Sequence, residues 1–395
     1  MPDLPESVTT EADRRAPRIR GYAYDPQRRA TAGHYGRGRR RRGLVRGSAQ
    51  AALDGLLLLS GGSTLLLGVA TSHTGGPLRA EALGLLLYLL LCALVALPLS
   101  FLLAYRHERA FGLSTQSPRR WLRDWIKGLF IGVGLGLSLA LGLLALIRLT
   151  PWWWLVAALL GGALVSLLAT VAPTLGLRLF HRVRPLDDPP LCARVLEVCD
   201  RAGVGRVRAV LVVESSSSST TANAMLTGLG RGRSIVLTDT MVRDFSPEEV
   251  EAVVAHELGH HVAGDVPSGI ALHIALTICS LFVVAQVGGL LAAQLHLSLG
   301  SMAAMPLLRL CSAGTGMALT PLEAALSRTR EERADRFALS ILADGWPLAS
   351  ALRRLGDMAL LEETPPTPWH LLASHPPLAN RVVLAEGWPT PARAP

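Results

Sequence analysis

The stretch Ser246–Gly264 reads S-P-E-E-V-E-A-V-V-A-H-E-L-G-H-H-V-A-G and contains His256-Glu257-Leu258-Gly259-His260. Residues four apart stack on one face of an α-helix, so His256 and His260 can each aim a ring nitrogen at a single ion. That is half of a zinc site. Glu257, one position round, has the placement of a general base that takes a proton from a water held by the metal without itself ligating. The helix is specified locally. Ser246 suits the N-cap, Pro247 the first turn, Glu248 the helix dipole, and Glu249 closes a capping box. Val250, Val253, Val254 and Leu258 recur at helical spacing and form a stripe to bury. His261 points away from the pair and reads as a solvated or core histidine. With 11 His in the chain, a chance H-E-x-x-H arises roughly once in a hundred such sequences, so the rest of the chain must supply a further ligand.

Ser327–Ala338, S-R-T-R-E-E-R-A-D-R-F-A, is the candidate. Glu331 and Asp335 share a helical face, so one carboxylate can bind the metal while the other accepts a hydrogen bond from a ligating imidazole. Without the upstream motif, the run would read as an exposed, ion-paired helix face. Further on, His375 stands before Pro376 and Pro377 on a rigid turn, which reads equally as a plain surface turn or as one that brings the imidazole to an oxyanion. Arg381 can anchor that turn or a substrate carboxylate.

The setting is a membrane. The chain has 395 residues, 50% of them hydrophobic and 17% charged, with a mean hydropathy of +0.36. It is too apolar for a soluble protein and too charged to lie wholly in lipid. The net charge of +9 and pI near 10.0 raise nucleic acid as a partner. Aromatic content is only 5% and the cations flank apolar runs, so membrane flanks account for them and nucleic acid is not expected. The five cysteines form no C-x-x-C and no even framework, which argues against disulfides and a thiolate metal site.

Residues 1–48, rich in Arg, Gly and Pro and without apolar periodicity, are expected to be a disordered cytoplasmic tail. Four runs in 49–180 are each long enough to cross about 30 Å of hydrocarbon: Ala49–Ala70, Glu81–Tyr105, Gly128–Leu149 and Trp152–Phe180. The Arg-rich connection 106–127 places itself and the segment after Phe180 in the cytoplasm, with Trp152, Trp153 and Trp154 as an outer aromatic belt. Residues 181–395 then form a domain carrying a small sheet. Pro189–Arg201 reads as an amphipathic helix and Val207–Val213 as a strand. Ser215–Ser219 reads as a flexible spacer, and Thr221–Leu226 and Ser234–Thr238 as two strands joined by a glycine-rich turn. Such a hairpin reads equally as a covered structural element or as an open sheet edge that would accept an extended peptide by main-chain pairing. Two apolar segments, about 266–295 and 302–320, interrupt the domain. Only an even number of passes returns Glu331 to the side of His256. His273 and Arg309 lie within these segments and face a cavity or a partner. A transporter reading built on them lacks an internal repeat.

The motifs H-E-L-G-H at His256, S-R-x-x-E-x-x-A-D from Ser327 to Asp335 and S-H-P-P with a following Arg at Ser374–Arg381, with Asn223-Ala224-Met225 and Ile235–Asp239, resemble the membrane-integrated zinc metallopeptidases of the CaaX prenyl protease and HtpX type. Coverage runs from about Pro189 to Arg381. The resemblance implies His256, His260 and Glu331 as ligands of one zinc ion per chain, Glu257 as catalytic base and Asp335 as support for a ligand. It further suggests Asn223 as a substrate main-chain binder and His375 as transition-state stabiliser. The Arg-rich tail and the five-serine insert are not parts of that pattern. The expected fold is mostly α, a polytopic transmembrane helical bundle with an H-E-x-x-H metallopeptidase domain carrying a small β-sheet. The expected function is zinc-dependent cleavage of peptide or protein substrates at the cytoplasmic membrane, with the N-terminus and site cytoplasmic. The alternative is an inactive membrane scaffold that keeps the fold.

Overall fold

The computed structural model describes residues 21–205, 207–228, 232–342 and 344–389, without the side chains of 169–180. Six helices come first: α1 (Pro26–Leu59), α2 (Gly62–Ser72), α3 (Pro77–Leu99), α4 (Arg106–Ala110), α5 (Pro118–Leu149) and α6 (Trp153–Phe180). A π-helical turn, Ser100–Tyr105, joins α3 to α4. Pro98 lies inside α3, and the N–H it lacks is a standard cause of such a departure from α-helical bonding.

The second half alternates small strands and helices before returning to long helices. Its elements are β1 (Val183–Pro185), α7 (Pro189–Arg201), β2 (Ala209–Val213), β3 (Ala224–Thr227), β4 (Ser234–Thr238), α8 (Asp239–Asp244), α9 (Pro247–Val262), α10 (Asp265–Gln294), α11 (Met305–Leu342), α12 (Trp346–Met358) and α13 (Leu378–Glu386). The sheet order is β1-β2-β4-β3, with β2 and β4 parallel and both outer pairs antiparallel. Beneath the sheet, Val195, Val198, Ile235, Leu237, Val250, Val254, Leu258 and Leu339 form one closed core that seats α9.

Among the described residues, four helices are long and apolar enough to cross a membrane, and five if the bent pair α1–α2 is one span. Their outer faces stay unburied: Leu59, Leu65, Phe130, Leu139, Leu160 and Leu290 are all exposed, a pattern stable only against lipid. α10 leaves the metal-site region and α11 brings the chain back, so the helix carrying Glu331 is the same one that carries Arg309.

Several expectations need correction. The proposed disordered tail falls partly on residues 1–20, outside the described residues, but Pro26–Ser48 is helical and continuous with the apolar run. The reason lies far along the chain. Tyr22 hydroxyl and the Asp25 N–H donate to Asp357 Oδ2 at 2.9 and 2.7 Å, Arg29 donates to the Leu361 carbonyl at 2.7 Å, and Arg40 pairs with Glu362. The run Ala49–Ala70 is not one straight helix: it bends by 70° between α1 and α2, where Gly61 takes φ 69°. Trp153 is no belt residue. At 5% exposure it is buried against Val284 and Leu308, while Trp152 stays exposed. The serine spacer is ordered: Asp239 Oδ1 accepts from the N–H groups of Ser215 and Ser216, both at 3.0 Å. Its far side meets the membrane half, where the Thr115 hydroxyl donates to the Ser216 carbonyl at 2.8 Å.

Candidate metal centre

The zinc-type helix forms as its sequence dictates. The Ser246 hydroxyl accepts from the Glu249 N–H while the Glu249 carboxylate accepts from the Ser246 N–H at 2.9 Å, completing the capping box. Glu249 is buried and reaches further: its Oε1 accepts from the Ser350 hydroxyl at 2.5 Å and its Oε2 from Arg354 at 3.0 Å, which pins α9 to α12. Gly259 sets the distance to the other helix. A Cβ there would lie 3.0 Å from the Ala334 Cα, so a hydrogen at this position lets α9 approach α11 closely.

That approach gathers the ligand candidates. One donor atom each from His256, His260 and Glu331 lies within 4.8 Å of the others. His256 Nε2 is 3.2 Å from His260 Nε2 and 3.6 Å from Glu331 Oε2, and His260 Nε2 is 3.4 Å from Glu331 Oε1. Donors bound tetrahedrally at about 2.0–2.1 Å are separated by about 3.3–3.4 Å, close to each of these three distances, with Glu331 turning one oxygen toward each imidazole. Glu331 is buried and its Oε2 makes no hydrogen bond of good geometry, though His375 Nδ1 at 2.9 Å and Arg381 Nη1 at 3.4 Å face it. A buried carboxylate facing two imidazole nitrogens is a donor set that suits a divalent cation. The residues present therefore fit a metal.

Each imidazole is held from behind. His256 Nδ1 lies 2.9 Å from Asp335 Oδ1, and Asp335 is clamped by Arg381 through two bonds of 2.8 and 2.7 Å. Arg381 thus anchors a ligand's partner. His260 Nδ1 lies 2.8 Å from Asp265 Oδ2, an interaction that the sequence reading missed. Asp265 is buried and is also paired with Arg333 on α11. The chain reaches it by turning at Gly264, whose φ is 65°, and that left-handed glycine directly after the motif helix was the available signal.

A cavity of about 340 Å³ opens on this cluster, lined among others by Asn223, Glu257, His260, Glu331, His375 and Arg381. The structure thus brings together every site residue expected from sequence, Asn223 included. His273 and Arg309 are not among them; Arg309 is paired with Asp54 inside the bundle at 2.8 Å. Burial pushes the Glu257 carboxyl up from its ordinary range, with the flanking histidines opposing, which brings a base nearer to neutral pH. Burial opposes the charge on His256, but bonds to Asp335 and Glu331 outweigh it and raise its pKa. Glu331 pushes His260 up to about 9.

The fold and site together define a membrane-embedded metallopeptidase. The comparisons place it more closely. The description Peptidase family M48 matches residues 185–388, and CAAX prenyl protease N-terminal, five membrane helices, matches residues 9–182. The chain belongs to peptidase family M48. It is 28% identical over 304 residues to the uncharacterized metalloprotease YhfN of Bacillus subtilis, covering 75% of this chain and 71% of that protein. It is 31% identical over 175 residues to CAAX prenyl protease 1 of Saccharomyces cerevisiae, which is 43% of this chain and only 38% of that one. A protease HtpX homolog of Albidiferax ferrireducens matches at 26% over 247 residues, 58% of this chain and 82% of the relative. In fold, the crystal structure of S. mikatae Ste24p superposes with a TM-score of 0.78 at 21% identity, covering 91% of this chain and 88% of that one.

Proposed function

We propose that the chain is a zinc-dependent endopeptidase that cleaves membrane-associated or membrane-delivered proteins, with its site and N-terminus facing the cytoplasm. The observation that carries this reading is the convergence of His256, His260 and Glu331 on one point, with Glu257 in the same cavity. A zinc ion held by these three side chains would supply Lewis acidity to a water and to a peptide carbonyl. Glu257 takes the proton from the attacking water and delivers it to the leaving amine, a shuttle suited to its raised pKa. His375, exposed at 62% of its side chain on the cavity rim, donates to the developing oxyanion. Asp335 and Asp265 fix the two imidazoles in the orientation that aims Nε2 inward.

The substrate chain lies along β3. That strand is an edge of the described sheet and uses only one side to pair with β4, and Asn223 precedes it at the cavity. Main-chain pairing there takes an extended peptide with little regard to sequence, and Asn223 bonds the substrate backbone next to the scissile bond. The cytoplasmic orientation rests on the Arg-rich connection 106–127. The test is Glu257→Gln in purified protein. Zinc content should stay at the wild-type level while peptide cleavage falls by about a hundredfold or more; undiminished cleavage would refute the assignment.

A further inference from the structure

The first turns of α5 play no part in the metal centre, yet they carry a built surface. The apolar part of α5, Gly128–Leu149, is 22 residues and so about 33 Å long, enough by itself to cross the hydrocarbon. The preceding residues, Pro118–Lys127, therefore sit at headgroup level. Two grooves open there. One, of about 420 Å³, runs between Leu97, Pro98 and Phe101 of the preceding span and Trp121 and Leu122 of α5. Its wall is shaped by the π-helical turn, and Phe101, Tyr105 and Trp121 cluster beside it with ring centroids 5.2–5.4 Å apart, Phe101 stacked on Tyr105 and edge-on to Trp121. The second, of about 470 Å³, descends α5 past Ile126 and Phe130, and Phe130 is 76% exposed. The grooves share Arg119 and Leu122.

Charge is one-sided here. Arg119, Arg120, Arg123 and Lys127 surround a single acid, Asp124. Asp124 is already engaged by the Gln116 amide at 2.7 Å, Lys127 at 3.6 Å and Arg120 at 3.9 Å. Arg120 is directed to the Ser217 carbonyl at 3.3 Å. Arg119 and Arg123 are exposed, have no ion pair or hydrogen bond among the described residues, and share one helical face at i, i+4. Two free guanidinium groups above two apolar grooves match a molecule with one phosphate and two hydrocarbon chains.

We propose that this surface binds an anionic diacyl phospholipid, its phosphate between Arg119 and Arg123 and one chain in each groove. The apolar grooves favour a lipid over a free anion, and the unpaired cations favour an acidic headgroup over a zwitterionic one. The proposal stands independently of the metal centre.

The test uses the full chain purified in detergent and counts retained lipid by native mass spectrometry, with phosphatidylglycerol and phosphatidylcholine of identical chains as probes. Wild type should prefer phosphatidylglycerol, less so as salt rises, and excess inorganic phosphate should not displace it. Arg119→Gln with Arg123→Gln should weaken phosphatidylglycerol retention by about thirtyfold and phosphatidylcholine retention much less, so that the preference is lost, with zinc content and thermal unfolding as in wild type. An unchanged preference in that variant overturns the proposal, as does displacement by inorganic phosphate. Should the double variant not fold, Leu122→Asn keeps the question open to test: it should lower retention of both lipids alike, and undiminished retention counts against the grooves.

Discussion

Two buried charged clusters sit on the same helix, and they differ in one respect. Arg309 and Glu331 are 22 residues apart on α11, about 33 Å along its axis. Around Arg309 the polar groups answer one another. Asp54, at 2% exposure, accepts from the Tyr88 hydroxyl at 2.8 Å and from Arg309 at 2.9 Å, while Arg309 also reaches Cys92 Sγ at 3.3 Å. Around Glu331 the outer groups are equally well paired, but one carboxylate oxygen makes no hydrogen bond of good geometry and is faced by His375 at 2.9 Å and Arg381 at 3.4 Å. A closed network holds helices together, whereas two imidazoles and a carboxylate converging on one point can also hold an ion. An intramembrane charge is therefore poor evidence of a reaction centre, and the convergence of His256, His260 and Glu331 on one point is better evidence.

The closed cluster is the easier one to break. Arg309→Ala strands the Asp54 carboxylate and should cost about 3–5 kcal/mol in stability, while Asp54→Leu with Arg309→Met should restore most of it, because a buried pair adds little over packed apolar groups. Thermal unfolding in detergent reads both; a double variant as unstable as the single one would mean the pair has a role beyond mutual satisfaction. The open cluster should respond to protons instead. His260 is held at about 9 by Glu331, and zinc must displace that proton, so apparent zinc affinity should fall by up to about tenfold for each pH unit below that value. A metal titration from pH 9 to pH 6 with constant affinity would contradict the shared use of His260 by proton and metal.

Smaller effects should come from the groups behind the ligands. Asp265→Asn should weaken zinc binding by about 10–100-fold, as removal of a carboxylate behind a ligating imidazole does, with the fold preserved. Metal exchange at the wild-type rate would show that Asp265 only joins α10 to α11. The smallest change is expected at Asp239. Burial raises its pKa but the bonds from Ser215 and Ser216 outweigh this and hold it below 3.8. Its stabilisation is therefore present above the unfolded value and is lost as pH falls through the folded one. Asp239→Asn should cost about 1 kcal/mol near neutral pH, and the gap to wild type should close in acid; a gap independent of pH would exclude the charge as its source.

What the sequence made legible follows the range of the forces involved. The capping box, the imidazole pair at i, i+4, and Glu331 with Asp335 at i, i+4 are local patterns, and each formed as its spacing dictated. The helical course of Pro26–Ser48 was hidden because its anchors, Asp357 and Glu362, lie more than 300 residues away. The serine loop was hidden likewise, since nothing in a run of serines points to Asp239 as the acceptor that orders it. Asp265 was overlooked because helical periodicity ends at Val262, and only the turn at Gly264 brings the next acid back onto His260.

The account comes down to one ion shared by two helices that are distant in sequence. Metal analysis of detergent-purified protein, wild type beside Glu331→Ala, tests it most directly. Wild type should carry one zinc per chain and Glu331→Ala almost none, with Glu331→Ala still unfolding cooperatively, below the temperature of the zinc-loaded wild type. A wild type purified without metal, or equal zinc in the two proteins, would contradict it.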